Sequence, residues 1–179
     1  MKKIPPLAVF LALFFSQGAF CFEPAQEKFH ENGVWVSRPA PSDVFLVQNL
    51  EAGRVASVED YAAWLKTRFQ YRKHASEDNE SRPEETLARG YGNCRDFAFL
   101  NAAALRLLGC QAKALGMDSR IFGGHAICVF VENGRYGFID NLYLERTGAR
   151  RFSDLMKNLT ARYKAAKWFV LDPGGFHAV

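Results

Sequence analysis

A nearly uninterrupted apolar stretch constrains the fold of this chain more than any other feature. Between residues 97 and 108 only Asn101 and Arg106 are polar, so a helix formed here has no solvent-facing side. Such a helix is stable only when other elements pack around it. The sequence therefore predicts a buried central helix over about residues 94–108, which ends at Gly109.

A cysteine stands at the start of this helix. Cys94 follows the short loop Gly90-Tyr91-Gly92-Asn93, whose glycines allow the backbone or a substrate to approach closely. The unpaired N–H groups and the positive dipole end of a first helical turn favour a thiolate. Most cysteines near helix starts only pack in a core, however, so a catalytic role requires further residues.

The first 21 residues have the features of a secretory signal peptide. Lys2 and Lys3 precede an apolar stretch over residues 4–15, and small residues follow it. Cleavage after Cys21 is preferred, with cleavage after Ala19 as the alternative. The apolar stretch is too short to span a membrane. We therefore expect a periplasmic or secreted protein with no stable membrane insertion after cleavage.

The charge of the chain argues against nucleic acid as a partner. The formal net charge is +4, and loss of residues 1–21 leaves 21 basic and 19 acidic residues. This excess is too small to direct binding to nucleic acid or to an anionic membrane surface. The remaining length of roughly 158 residues suits a single domain with a substantial core.

Three cysteines follow the predicted signal peptide: Cys94, Cys110 and Cys128. An odd number in an exported protein indicates either one pair plus a free thiol or three free thiols. If a disulfide forms, we expect it between Cys110 and Cys128, which leaves Cys94 free. The chain has no Cys-x-x-Cys pair, so a disulfide oxidoreductase is not indicated.

The order of elements predicts an α+β domain over residues 57–179, with helices followed by a mostly antiparallel sheet. Residues 22–56 are expected to form an N-terminal arm, extended over 22–43, with an apolar strand or core anchor at 44–47. The predicted helices begin at Ser57, Pro83, Cys94 and Ser153, and the predicted strands cover residues 111–117, 125–131, 135–139 and 167–171. Asn133-Gly134 is the favoured two-residue hairpin turn between two of these strands.

A nucleophilic cysteine needs a base, and His125 is the best-placed histidine. His30 lies in the arm, His74 beside a polar loop and His177 near the end of the sequence. His125 follows two glycines and begins a buried strand. The strand holds its backbone still, while its position at the strand end keeps the side chain near solvent.

Alternation along this strand assigns its side chains to two faces. His125 and Ile127 point one way, and Ala126 and Cys128 point the other. If the buried helix packs on the first face, His125 can meet Cys94 whereas Cys128 cannot. The same alternation disfavours zinc binding by His125 and Cys128 together, so no metal site is predicted.

The third group of a triad fixes the tautomer of the histidine, and two acids compete for that position. Asp140 ends the strand that returns from Asn133-Gly134, and pairing across this turn brings it beside His125 in a close but imperfect register. Asp172 also ends a strand. We prefer Asp140 because a tight hairpin fixes its position more firmly, and Asp172 is the alternative.

The loop before the central helix supplies candidates for an oxyanion hole. The backbone N–H of Cys94 is one donor, and Tyr91 or Asn93 is expected to supply or orient the second.

Four segments around these residues form a pattern: 83–98, Leu105–Gly109, Gly124-His125-Ala126 and Ile139–Leu142. Together they resemble the transglutaminase-like superfamily, over about residues 57–145. Within it they are most similar to the exported bacterial transglutaminase-like cysteine proteinases.

The resemblance implies a papain-like core, in which a buried central helix packs on the sheet. It also implies that the cysteine lies on the central helix and that the histidine and the acid lie on adjacent strands. By this match Cys94 is the nucleophile, His125 the general base and Asp140 the orienting acid.

The chain departs from the pattern of this family at three positions. Asn93 stands where relatives often have an acid. Arg95 stands where the proteinase branch has an acidic residue that helps to bind calcium, so no cofactor is expected. Calcium is the less favoured alternative, because Asp96 is kept. Ile127 replaces a tryptophan that is common among relatives, which removes an aromatic wall from the cleft.

Two functions are compatible with these expectations. The first is an exported, monomeric cysteine acyl-transfer enzyme that hydrolyses peptide or isopeptide bonds in a protein or peptide, such as one of the cell envelope. The second is a non-catalytic transglutaminase-like module that binds a peptide or an envelope protein. Hydrolysis is favoured over transamidation because water is always present and no sequence feature marks an amine site. The fold alone does not identify the reaction.

Overall fold

A computed structural model describes residues 26–31, 34–39, 41–73, 82–121, 123–172 and 175–178. The helices are α1 (Pro41–Ala52), α2 (Val58–Arg68), α3 (Pro83–Arg89), α4 (Cys94–Leu107) and α5 (Phe152–Tyr163). The strands are β1 (Gln26–Glu31), β2 (Val34–Pro39), β3 (Gln70–Tyr71), β4 (Tyr91–Gly92), β5 (Gln111–Ser119), β6 (Gly123–Glu132), β7 (Arg135–Asp140), β8 (Tyr143–Arg146), β9 (Ala165–Asp172) and β10 (Gly175–Ala178).

The predicted signal peptide and His74 lie outside the described residues. Among the residues that the structure describes, no helix combines the length and the apolar character that a bilayer crossing requires.

A six-stranded antiparallel sheet forms the middle of the domain, in the order β10-β9-β5-β6-β7-β8. Helix α4 packs on one face of this sheet, together with buried side chains of α1, α2 and α3. Helix α5 packs on the other face. The predicted α+β class with a central helix on an antiparallel sheet is therefore confirmed.

The central helix is as deeply buried as its composition predicts. Phe97, Leu100 and Leu105 are fully buried. The single polar residue in its middle, Asn101, is also fully buried and has partners on two sides. Its Oδ1 accepts a hydrogen bond of 2.8 Å from the Tyr61 phenol of α2, and its Nδ2 donates to a carbonyl at the end of β7, that of Asn141, over 3.0 Å. Asn101 thus ties the helix both to α2 and to the strand end that carries Asp140.

The local signals for turns and helix ends are largely confirmed. Ser57 caps α2 by accepting a hydrogen bond from the Asp60 N–H, and Gly90 ends α3 with a φ of 71°. Asn133 and Gly134 have φ values of 50° and 69°, as the tight hairpin turn between β6 and β7 requires.

Three local predictions differ from the structure. The candidate strand at 44–47 is part of α1, because Leu46 and Leu50 are one helical turn apart and both enter the core. Residues 26–39 include two strands paired as a hairpin rather than an extended arm. Ser153 does not cap α5, since the helix begins one residue earlier and Arg151 occupies the N-cap position.

Of the two alternatives that the cysteine count left open, the structure has three free thiols, and no disulfide joins Cys110 to Cys128. Cys128 pairs with Ala114 across β5 and β6, whereas Cys110 precedes β5 and lies beyond the Gln111–Val131 pair. Four residues along a strand correspond to about 13 Å, well beyond the reach of a disulfide. Burial raises the pKa of Cys110 to about 11 and raises that of Cys128 further still, so both thiols are protonated core residues at neutral pH.

The link between α2 and α4 yields a test of the core. Tyr61→Phe removes the donor to the buried Asn101 carbonyl oxygen, and we expect it to lower the free energy of unfolding by about 1–3 kcal/mol in urea denaturation. Tyr143→Phe is the matched control, because Tyr143 is 64% exposed. Equal effects of the two substitutions would contradict a structural role for the Tyr61–Asn101 hydrogen bond.

Candidate active site

Cys94 is the first residue of α4, and the two residues around it fix the start of the helix. Oδ1 of Asn93, the N-cap residue, accepts hydrogen bonds from the N–H groups of Arg95 at 2.9 Å and of Asp96 at 3.1 Å. In return, Oδ2 of Asp96 accepts a hydrogen bond of 2.9 Å from the Asn93 N–H. This reciprocal capping box holds the backbone of Cys94 in place.

The loop before Cys94 packs tightly against the first turn of α4. Asp96 is 1% exposed, and Arg89 lies 3.6 Å from its Oδ2. A Cβ added at Gly92 would stand only 2.7 Å from the Asp96 Cβ, so this position requires glycine. The close approach that the loop glycines predicted therefore occurs between the loop and the first turn of α4.

The imidazole of His125 and the carboxylate of Asp140 form a hydrogen-bonded pair. His125 is the third residue of β6, Asp140 is the last residue of β7, and the distance from Nε2 to Oδ1 is 2.9 Å. Both side chains are largely buried, at 16% and 22% exposure. Burial would raise the pKa of Asp140, but the hydrogen bonds from His125 and Tyr163 outweigh it, so the pKa lies below its usual value.

The side chains of Cys94 and His125 line the same cavity, and the interaction with Cys94 contributes to the raised pKa of His125. Since Nε2 of His125 is engaged by Asp140, Nδ1 is the ring nitrogen that is left for an interaction with the sulfur. Burial disfavours the charged imidazole and is the largest single influence on it. The hydrogen bonds and charges of Asp140 and Cys94 together exceed this influence and raise the pKa of His125 from 6.5 to about 9.

The face of the sheet on which α4 packs is not the one that carries His125. Ala126 and Cys128 belong to the cluster around α4, whereas Ile127 packs with α5. His125 pairs with Met117, a residue of the α5 side, and its ring lies 5.8 Å from that of Tyr163 on α5. Cys94 and His125 nevertheless line the same cavity, because His125 stands at the end of the sheet, where the first turn of α4 also lies.

The strand register explains why Asp140, and not Asp172, contacts His125. Cys128 pairs with Ile139, so Asp140 is level with Ile127 and shares the face of His125 two residues away. Trp168 of β9 pairs with Met117, the residue that also pairs with His125. Asp172 is four residues further along β9 than Trp168. Its backbone therefore lies about 13 Å from that of Trp168, towards the other end of the sheet.

The three side chains open into a cavity of 680 Å³ at this end of the sheet. Its lining includes the small residues Gly116 and Ala126, together with Phe169 and Leu171 of β9. Charged and polar residues, including Lys73 and Tyr71, also line it.

The two candidates for an oxyanion donor have different positions. Asn93 lines the cavity, but its Oδ1 is committed to capping α4. Tyr91 does not line the cavity, because its ring packs against Arg72 at 4.1 Å and Arg89 at 5.7 Å. The cap uses the N–H groups of Arg95 and Asp96, so the N–H of Cys94 is outside it.

Two tyrosines at the site were not among the sequence candidates. Tyr163 donates a hydrogen bond of 2.7 Å to Oδ2 of Asp140. Tyr71 lines the cavity, and its pKa is raised by burial and by the nearby Cys94 and Asp140. Tyr163 is the last residue of a helix, and Tyr71 belongs to a two-residue strand. Neither position has a local sequence signal for catalysis.

The acid that follows Arg95 at the helix start is engaged within the protein. No group of three or more His, Cys, Asp or Glu side chains among the described residues is arranged to hold a metal ion. Asp96, the acid that remains next to Arg95, directs Oδ2 to the Asn93 N–H and lies near the guanidinium of Arg89. Its carboxylate therefore stabilises the helix start.

The raised pKa of His125 predicts a specific dependence of stability on pH. The folded-state value of about 9 exceeds the ordinary 6.5, so the folded protein binds this proton more tightly than the unfolded chain. The resulting stabilisation, on the order of 3 kcal/mol, is complete below pH 6.5 and is lost as the pH rises to 9. Urea denaturation of wild type and His125→Gln between pH 6 and 10 measures it. Parallel curves for the two proteins would rule out the raised value.

The sequence of the chain matches the family model of the transglutaminase-like superfamily over residues 46–136. This range includes Cys94 and His125 and ends just before Asp140. It begins within α1, upstream of the residue 57 boundary predicted for the domain. A search of curated proteins gives no match.

Solved structures are similar to this chain at low sequence identity. Calcium-bound LapG of Legionella pneumophila is 16% identical, with a TM-score of 0.50 over 75% of this chain and 76% of LapG. A proposed cysteine protease of Cytophaga hutchinsonii is 20% identical, with a TM-score of 0.48 over 63% of this chain and 44% of the other. A TGase is 15% identical, with a TM-score of 0.46 over 56% of this chain and 31% of the other.

The chain thus spans less than half the length of the last two proteins, and at these identities the likeness concerns the fold alone. The family model, in contrast, covers just over half of the chain. On that basis, this protein belongs to the transglutaminase-like superfamily.

Proposed function

We propose that the protein is a cysteine acyl-transfer enzyme that hydrolyses peptide or isopeptide amide bonds. The observation that carries this proposal is that Cys94, His125 and Asp140 line one cavity, in which a hydrogen bond of 2.9 Å joins His125 to Asp140. In this assignment Cys94 is the nucleophile, His125 exchanges protons with substrate, and Asp140 orients the imidazole.

The arrangement supports a two-step reaction. The Cys94 thiolate attacks the amide carbonyl carbon, and the His125 imidazolium donates its Nδ1 proton to the leaving amine as the C–N bond breaks. The product of this step is a thioester on Cys94 and a free amine. Water then attacks the thioester with neutral His125 as general base, which releases the carboxylic acid and restores the thiolate and imidazolium.

The charge state of His125 suits this role. With a pKa of about 9, the imidazole is protonated at neutral pH. A positive charge beside the sulfur stabilises a thiolate, and the same proton is available to the leaving amine. We therefore expect enzymatic activity to fall as the pH rises through 9, when His125 loses this proton.

The negative charge that develops on the substrate oxygen requires hydrogen-bond donors. The backbone N–H of Cys94 lies at the helix start and outside the Asn93 cap, and it is our first candidate. The Tyr71 phenol lines the same cavity and is the second. Tyr71 replaces Tyr91 in this assignment, because the Tyr91 ring lies outside the cavity.

The proposed substrate is a protein or peptide, and the proposed location is the periplasm or the exterior of the cell. The location follows from the signal-peptide features of residues 1–21, and envelope proteins are therefore the first substrates to examine. Incubation with envelope fractions, followed by mass spectrometry of new N-termini, identifies a cleaved bond. Cys94→Ser protein is the control in that experiment.

Alkylation by iodoacetamide tests the proposal without a known substrate. We expect Cys94 to react rapidly near neutral pH. In His125→Ala the rate should fall by about ten-fold or more, because the imidazolium is lost. Cys94→Ser should abolish the fast reaction and keep the fold, whereas Cys110→Ser should change neither. His177→Gln is the matched histidine control.

If Cys94 is alkylated as slowly as in the denatured chain, the proposal of an enzyme is contradicted. Such slow alkylation would instead support the alternative of a non-catalytic module that binds a peptide. Rapid alkylation that is independent of His125 would reject the triad.

We further propose that the enzyme works without calcium, although its structural neighbour LapG has a calcium-bound form. Arg95 and the committed carboxylate of Asp96 support this proposal. Added EDTA is expected to leave both the alkylation rate of Cys94 and the midpoint of thermal unfolding unchanged. A decrease in the alkylation rate or in the unfolding midpoint with EDTA, reversed by added calcium, would overturn this proposal.

A further inference from the structure

The carboxylate of Asp140 has a partner at each of its oxygens. Oδ1 lies 2.9 Å from Nε2 of His125, and Oδ2 accepts a hydrogen bond of 2.7 Å from the phenol of Tyr163. The last torsion of an aspartate side chain has a broad energy well, so one contact alone leaves the carboxylate free to turn. Two contacts together fix both its plane and the oxygen that faces His125.

Tyr163 is itself firmly held. Its side chain is 6% exposed, and its ring lies 5.8 Å from that of His125 at an angle of 44°. Its backbone carbonyl accepts a hydrogen bond of 2.7 Å from the hydroxyl of Ser119 at the end of β5. Arg162 beside it forms an ion pair with Glu145 on β8. The end of α5 is therefore attached to the sheet on both sides of Asp140.

The electrostatics of this contact make Tyr163 a neutral donor. Burial and the adjacent carboxylate of Asp140 raise the pKa of the phenol well above its ordinary value, so the phenol keeps its proton at neutral pH. Its hydrogen bond in turn helps to keep the pKa of Asp140 low, against the effect of burial. Asp140 therefore stays charged while it holds a protonated imidazole.

We propose that Tyr163 is a positioning residue, which fixes Asp140 so that His125 directs Nε2 to the carboxylate and Nδ1 to Cys94. Tyr163 does not touch the reacting atoms and acts through Asp140 and His125. This inference rests on the proposed function for its catalytic consequence. Its effect on the state of His125 is independent of any substrate.

Tyr163→Phe tests the inference, because it removes one oxygen and keeps the ring. Tyr136→Phe is the matched control, since Tyr136 lies on β7 and its ring packs with Phe152, 6.0 Å away. Nitrogen-15 NMR of histidine-labelled full-length protein measures the pKa of His125 and, above that pKa, its tautomer. A merely structural role would not move either quantity in a folded variant.

In Tyr163→Phe we expect the pKa of His125 to fall from about 9 towards 6.5 and the neutral ring to become a mixture of tautomers. The second-order rate of Cys94 alkylation should fall about ten-fold. Tyr136→Phe should change none of these. Ser119→Ala keeps the phenol and removes its backbone anchor, so it should shift the pKa of His125 in the same direction by less.

A double-mutant cycle separates an effect through Asp140 from a general one. If Tyr163 acts through this carboxylate, Tyr163→Phe causes no further loss of alkylation rate in Asp140→Asn protein. Additive losses would overturn the proposal. The proposal would also be overturned if His125 kept its wild-type pKa and tautomer in both Tyr163→Phe and Ser119→Ala.

Failure of the proposed function gives a different result. Cys94 would then react no faster than in the denatured chain, although Tyr163→Phe still shifts the pKa of His125.

Discussion

The complete burial of α4 is the constraint on which the rest of the structure depends. A helix that is apolar almost all round must be enclosed, and here α1–α3 cover one side while the sheet covers the other. Enclosure fixes the axis of the helix, and the Asn93–Asp96 capping box fixes its first turn. The sulfur of Cys94 therefore has a defined position at the end of the sheet.

The site combines parts of the fold that belong to opposite sides of the sheet. Cys94 comes from the layer of α4, whereas the Asp140 carboxylate is held by Tyr163 of α5. His125 joins the two because it stands at the strand end, where side chains from both layers can meet. Hydrogen bonds and charge, rather than apolar packing, connect the layers at this point, and they sustain a protonated imidazole inside a partly buried site.

Much of this arrangement could be predicted from local patterns, and the parts that could not depend on long-range packing. The helix start at Cys94, the Asn133-Gly134 turn and the Asp140–His125 contact follow from composition and alternation within short segments. The sheet face on which α4 packs could not be predicted in this way, because alternation defines two faces but does not say which helix covers each. Tyr163 was equally out of reach, since its contact with Asp140 joins residues 23 positions apart with no motif at either end.

The hairpin between β6 and β7 has a consequence beyond strand pairing. Its two-residue turn sets which residue of β7 is level with Ile127, and Asp140 shares the face of His125 only in that register. Inserting or deleting one residue at Asn133-Gly134 would turn the Asp140 carboxylate to the α4 side of the sheet. Six residues of extended chain separate Gly134 from Asp140, so this effect would occur about 20 Å from the change. The length of this turn therefore determines, from a distance, whether the imidazole has an acid beside it.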